Sequence, residues 1–111
     1  GARAEDVPPG TLEVGGLRID FGTYRVTVDG RPVDLSSLEF KLLGVLASRP
    51  GRVFSREQLL DRVWGDEAFV EPRTVDVHIS RLRAAIEADK ENPRFIRTVR
   101  GIGYKFADAD A

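Results

Sequence analysis

Apolar and polar positions alternate with a period of two through residues 11–34. Leu12 and Val14 precede Gly15-Gly16, then Leu17, Ile19 and Phe21 follow on one face. Tyr24, Val26 and Val28 lead to Asp29-Gly30. Gly-Gly and Asp-Gly favour the positive φ angles of tight hairpin turns. The stretch predicts a small antiparallel sheet of three or four short strands.

The period then lengthens. Ser36 with Glu39 three residues on forms a capping box that starts a helix, with Leu38, Leu42, Val45 and Leu46 on its apolar face. Pro50-Gly51 ends that helix, and Val53-Phe54 reads as a short extended piece. Ser55 with Gln58 makes a second capping box, followed by a helix carrying Leu59, Leu60, Val63 and Trp64 and closed by Gly65. Residues 65–71 read as an acidic loop containing Asp66, Glu67 and Glu71. Pro72 suits the first turn of a third helix, expected to run to about Ala88. Phe95–Arg100 and Tyr104–Phe106 read as strands flanking Gly101-Ile102-Gly103. The order is sheet, three helices, hairpin: a helix-turn-helix core with a hairpin after its last helix.

The third helix divides sharply by angle. With Arg73 set at zero and about 100° per residue, Val75, Ile79, Leu82 and Ile86 fall in one stripe between about 180° and 240°. The opposite face carries Ser80, Arg73, Ala84, Val77 and Arg81, with Thr74 on its rim. Small residues between arginines let a backbone approach a major groove while guanidinium groups reach guanine edges or phosphates. An ordinary solvated helix face explains the spacing equally well.

Composition narrows the choice. The 111 residues suit one domain, and 41% apolar with 32% charged residues lies in the globular range. There is no cysteine, which removes disulfides and thiolate metal sites and fits a cytosolic protein. No apolar run approaches a membrane span and no signal-peptide pattern opens the chain. The first residue is Gly rather than Met, so a fragment of a longer chain is expected, with residues 1–10 a linker remnant, 11–106 the domain and 107–111 an acidic tail. A net charge of −1 argues against a polyanion partner until its distribution is read. Residues 72–105 hold eight Lys/Arg against four Asp/Glu, whereas residues 1–71 hold nine against twelve. Local field rather than total charge steers a nucleic acid, although a solvated basic helix has the same signature.

The remaining candidates are few. His78 lies between the core stripe and the arginine face, with no Cys and no second His to share a metal; phosphate contact and plain packing both fit it. Gly101-x-Gly103 lacks the third glycine and following helix of a dinucleotide site, so a hairpin turn is the better reading. A hairpin presenting Arg100 and Tyr104 can enter a minor groove or grip the backbone. Trp64 suits the core, and its indole N–H could also meet a phosphate. No Ser-His-Asp order, Walker motif or zinc pattern is found, so neither an enzyme nor a cofactor is expected. A module docking on another protein through the 65–71 loop is the alternative to DNA binding. Steep loss of affinity with salt would separate the two.

Five segments carry a family resemblance. Glu71-Pro-Arg-Thr-Val-Asp-Val-His-Ile-Ser-Arg-Leu-Arg83 and Ile96-Arg-Thr-Val-Arg-Gly-Ile-Gly-Tyr-Lys-Phe106 strongly resemble the effector domain of OmpR/PhoB-family response regulators. Leu35–Leu43, Phe54–Leu60 and Val63-Trp-Gly65 are similar to it as well, so nearly all of residues 11–106 is covered. Within the family the phosphate-regulon regulators look most similar. The fold class implied is α+β: a winged helix-turn-helix with an N-terminal antiparallel sheet, three helices and a C-terminal hairpin wing. The resemblance implies a cytoplasmic bacterial two-component transcription factor, with a receiver domain before this segment and a histidine kinase upstream. Two copies would bind direct repeats of promoter DNA in tandem.

Position by position, the resemblance puts Arg73, Val77 and Arg81 at groove-facing sites and Arg100 at the wing near the minor groove. It puts His78, Arg83, Trp64, Thr98 and Tyr104 at backbone contacts. Ser80, also placed on the DNA-binding face, departs from the arginine common in PhoB-like members, so the resemblance does not carry over one phosphate contact or the exact target sequence. The loop Gly65, Asp66, Glu67, Ala68, Phe69, Val70 and Glu71 corresponds to the segment that meets RNA polymerase in activators of this type.

Overall fold

Two turn dipeptides shape the first half of the fold. The computed structural model describes residues 10–65 and 70–107. Strands β1 (Thr11–Val14), β2 (Leu17–Asp20), β3 (Arg25–Val28) and β4 (Arg31–Val33) form one antiparallel sheet in sequential order. Gly15 and Gly16 (φ 52° and 91°) and Asp29 and Gly30 (φ 51° and 82°) make the left-handed turns that join β1 to β2 and β3 to β4. The register sets Leu12, Ile19, Val26 and Val33 side by side across all four strands, so alternation becomes one continuous apolar face. The turn between β2 and β3 is wider. The Asp20 carboxylate accepts the N–H groups of Gly22 and Thr23, and Tyr24 sits at φ 58°, outside the strand expected for it.

Helix α1 (Ser37–Ala47) begins where Ser36 Oγ accepts the Glu39 N–H at 3.1 Å. It is buried on more faces than a single stripe predicts, because Phe40, Leu43, Gly44 and Ala47 are covered together with Leu42, Val45 and Leu46. Phe21 of the β2–β3 turn meets Phe40 edge-on at 5.9 Å, which seats the first sheet on α1.

Strand β5 (Val53–Ser55) leads into α2 (Arg56–Leu59), where both halves of the Ser55/Gln58 capping box are present. Among the described residues only this box is complete; at Ser36 only the hydroxyl half forms. Helix α2 continues as a π-helical turn over Leu60–Trp64, closed by Gly65 N–H donating to Leu60 C=O at 3.0 Å. Helix α3 (Arg73–Ile86) follows, entered through Pro72 with helical dihedrals (φ −54°, ψ −30°). It stops two residues before the expected Ala88, because Glu87 turns to extended backbone (φ −89°, ψ 139°).

The last elements, β6 (Ile96–Val99) and β7 (Gly103–Phe106), form the hairpin. β7 also pairs with β5, matching Phe54 with Tyr104, so the short extended piece becomes the outer strand of a three-stranded sheet, β5-β7-β6. A Cβ on Gly103 would overlap the Phe54 carbonyl oxygen, so glycine alone lets the two strands close. One core joins both sheets and all helices, with Leu17, Ile19, Leu46, Phe54, Leu82 and Phe106 essentially inaccessible. Backbone contacts reach Gly10 at one end and Ala107 at the other. Gly10 C=O accepts from Phe21 N–H at 3.0 Å, and Ala107 is buried with its N–H on Phe95 C=O at 2.8 Å.

Candidate nucleic-acid interface

The outward face of α3 follows from what its inward face buries. Val75, Ile79, Leu82 and Ile86 are each 2% exposed or less, packed on the helices beneath. That leaves Arg73, Val77, Ser80, Arg81 and Ala84 exposed on the other side, with Thr74 half-buried at the rim. Val77 is 46% exposed, a β-branched apolar side chain kept in the open between arginines. A thymine methyl is the kind of group that such a residue can meet.

The hairpin presents a further cation. Ile102 N–H donates to Val99 C=O at 2.9 Å, closing a four-residue turn with Gly101 at φ 77° in its third position. Arg100 occupies the second position and is exposed, beside an Ile102 that is 58% exposed.

Three residues expected on the DNA backbone make hydrogen bonds within the protein. The Arg83 guanidinium donates from Nε and Nη2 to Ile96 C=O (3.1 and 2.9 Å) and from Nη2 to Thr98 Oγ1 (2.8 Å). It also lies 5.4 Å from the Tyr104 ring centroid. Burial lowers the Arg83 pKa from its usual value, partly opposed by Tyr104 and Glu87. Tyr104 is only 6% exposed, and its hydroxyl donates to Asp76 Oδ1 at 2.5 Å. Burial raises the phenol pKa first, and the Asp76 carboxylate raises it further. Arg56 Nε donates to the same Asp76 oxygen at 2.8 Å. Burial pushes the Asp76 carboxyl up, but the hydrogen bonds from Arg56 and Tyr104 prevail and hold it below the ordinary carboxylate range. Arg83, Thr98 and Tyr104 thus brace α3 against the wing.

His78 and Trp64 meet at the other border of α3. Their rings are 5.0 Å apart and nearly perpendicular, and Trp64 is half-buried against the core. His78 Nδ1 lies 2.9 Å from Thr74 C=O; since a carbonyl only accepts, that bond needs the proton on Nδ1. Of the loop 65–71, Gly65, Val70 and Glu71 are described, with Gly65 and Glu71 exposed; Asp66, Glu67, Ala68 and Phe69 lie outside the described residues. Among the described residues no group of three or more His, Cys, Asp or Glu could hold a metal ion. Among them, too, no helix is long and apolar enough to cross a membrane.

Sequence reasoning overlooked Arg56, Asp76 and Glu87. Asp76 and Arg56 are 20 positions apart, and nothing local pairs them. Glu87 ends a helix in a polar stretch, where a carboxylate normally faces water.

Residues 30–106 match the family described as "Transcriptional regulatory protein, C terminal". The chain belongs to that family. It is an effector domain of the OmpR/PhoB type and is not an enzyme. It is 47% identical over 103 residues to the DNA-binding response regulator MtrA of Mycolicibacterium smegmatis, covering 93% of this chain and 45% of that protein. It is 48% identical over 96 residues to the phosphate regulon transcriptional regulatory protein PhoB of Pseudomonas aeruginosa, covering 86% of this chain and 41% of that protein. These two identities do not single out the phosphate-regulon regulators. The chain spans less than half the length of either relative. In structure it resembles the response regulator DrrB of Thermotoga maritima (TM-score 0.83, 42% identity, 88% of this chain and 44% of that one). It also resembles the Klebsiella pneumoniae RstA DNA-binding domain solved with its RstA box (TM-score 0.79, 38% identity, 87% and 96% coverage). The winged helix-turn-helix of these OmpR/PhoB relatives is the fold found here.

Proposed function

We propose that this effector domain binds promoter DNA by laying α3 in a major groove and setting the β6–β7 turn beside the adjacent minor groove. The observation that carries the reading is the pairing of two exposed cationic features on one braced frame. Arg73 and Arg81 project from α3, Arg100 projects from the turn, and Arg83 ties the two elements together. Arg73 and Arg81 act on base edges or groove walls, Val77 offers apolar contact to a thymine methyl, and Thr74, His78 and Trp64 lie within reach of the flanking backbone. The commitment of Arg83, Thr98 and Tyr104 to internal bonds favours a bracing role for them over a phosphate contact.

The relatives extend the reading. Response regulators of this kind support a chain that works in the bacterial cytoplasm as the output half of a two-component protein. Its partners would be a receiver domain, an upstream histidine kinase and RNA polymerase reached through the 65–71 loop, with tandem copies on direct repeats.

The test is a binding isotherm at fixed salt on a duplex selected by this chain from random-sequence DNA. Arg81→Ala and Arg100→Ala should each weaken binding by about tenfold, the size of one lost side-chain contact to a base or groove. The Arg100 effect should be greater on A/T-rich flanks. Affinity unchanged in both variants, or insensitive to salt, would favour a protein-docking module instead.

A further inference from the structure

The root of the wing hangs from one buried carboxylate. Glu87, the first residue past α3, is 8% exposed. Its oxygens accept the N–H groups of three consecutive residues: Arg94 at 2.7 Å, Phe95 at 2.9 and 3.2 Å, and Ile96 at 2.9 Å. A buried carboxylate demands such partners, since an unsatisfied one is strongly disfavoured. Those residues lead the chain into β6. Ile96 is gripped from its other side too, its C=O accepting from Arg83 one turn back along α3. The β1–β2 turn closes in as well, where a Cβ on Gly15 would come within 2.8 Å of Arg94 Nη2.

We infer that Glu87 is a positioning residue for DNA binding: it fixes the angle between α3 and the wing so that Arg81 and Arg100 reach the duplex together, without touching DNA itself. The inference rests on the proposed DNA-binding reading. Arg100 lies four residues beyond Ile96, about 13 Å along an extended strand. A tilt of about 5° at the root therefore moves the turn by about 1 Å, enough to spoil a side-chain contact in a groove.

Glu87→Gln keeps the size but puts an amide N–H₂ against backbone donors. Its effect should pass through the wing. On the selected duplex, Glu87→Gln should weaken binding about fivefold in the wild-type chain and about fivefold again when added to Arg81→Ala. Added to Arg100→Ala it should cost less than about twofold, because the contact it positions is already gone. A merely structural role would give equal losses in all three backgrounds, and that result overturns the inference. So does unchanged affinity accompanied by faster amide exchange at Arg94, Phe95 and Ile96. If Arg100→Ala alone leaves affinity intact, the wing reading itself fails, which is a separate outcome. Glu87→Asp, which retains the charge but shortens the reach, carries the same cycle should the Gln variant not fold.

Discussion

Tyr104→Phe separates the geometry of this chain from the backbone contact that the family resemblance implies for that tyrosine. The substitution removes one oxygen and leaves the buried ring beneath Arg83. What it removes is a 2.5 Å hydrogen bond to the Asp76 carboxylate. Bonds to charged groups contribute about 1.5–3 kcal/mol. Asp76 is 38% exposed and keeps Arg56, so water can take part of the vacated place, and about 1 kcal/mol is expected. For a domain of this size that is a fall of about 4 °C in Tm. The assay is paired: thermal or urea unfolding of both chains, and a binding isotherm on the selected duplex. DNA affinity should change by less than about twofold, because the hydroxyl is already occupied and the Arg83 bonds to Ile96 and Thr98 still tie α3 to the wing. An unchanged Tm together with a tenfold loss of DNA affinity would refute the reasoning and put the hydroxyl on a phosphate.

Three further outcomes are expected. Gly103→Ala should destabilise the fold by about 2–3 kcal/mol, since its methyl group meets the rigid Phe54 carbonyl rather than a movable side chain; a Tm within a degree or two of wild type would show that β5 and β7 can part freely. The Asp76 carboxyl titrates lower in the folded than in the unfolded chain, so its contribution is present above about pH 3.8 and is lost as pH falls through the lower folded value. The stability gap between wild type and Asp76→Asn should therefore shrink on acidification from pH 6 to pH 3, and a constant gap in urea titrations contradicts this sign. Ser80→Arg places a cation on the exposed face of α3 proposed to meet DNA and should steepen the dependence of log affinity on log salt by about 0.9, with an unaltered slope showing that position 80 faces away from phosphate.

What sequence reasoning captured was local. The Gly15-Gly16 and Asp29-Gly30 turns, the Ser55/Gln58 box and the apolar stripe of α3 each depend on neighbours within about one turn of chain, and all are found in the structure. What it missed needed distant partners. β5 looks like a spacer until β7 arrives beside it from 50 residues away. Glu87 looks solvated until Arg94, Phe95 and Ile96 fold back on it. Tyr104 alternates correctly as a strand residue, yet its hydroxyl belongs to a carboxylate on another element. The same limit applied to the site. The exposed arginines could be placed by angle, whereas the bonds that hold Arg83, about 200° round the helix from Arg81, could not be read locally, because its acceptors on Ile96 and Thr98 lie 13 and 15 positions away.

The pairing of Phe54 with Tyr104 also governs the order in which the domain can form. It closes a loop of about 50 residues, and α2 and α3 both lie inside that loop. Closure of such a loop is entropically slow compared with the helices it encloses. During synthesis from the N-terminus, the four-stranded sheet and α1 can assemble early, while α3 waits for β7 to leave the ribosome. A chain arrested before Gly103 would carry every α3 residue and still lack the platform that aims them.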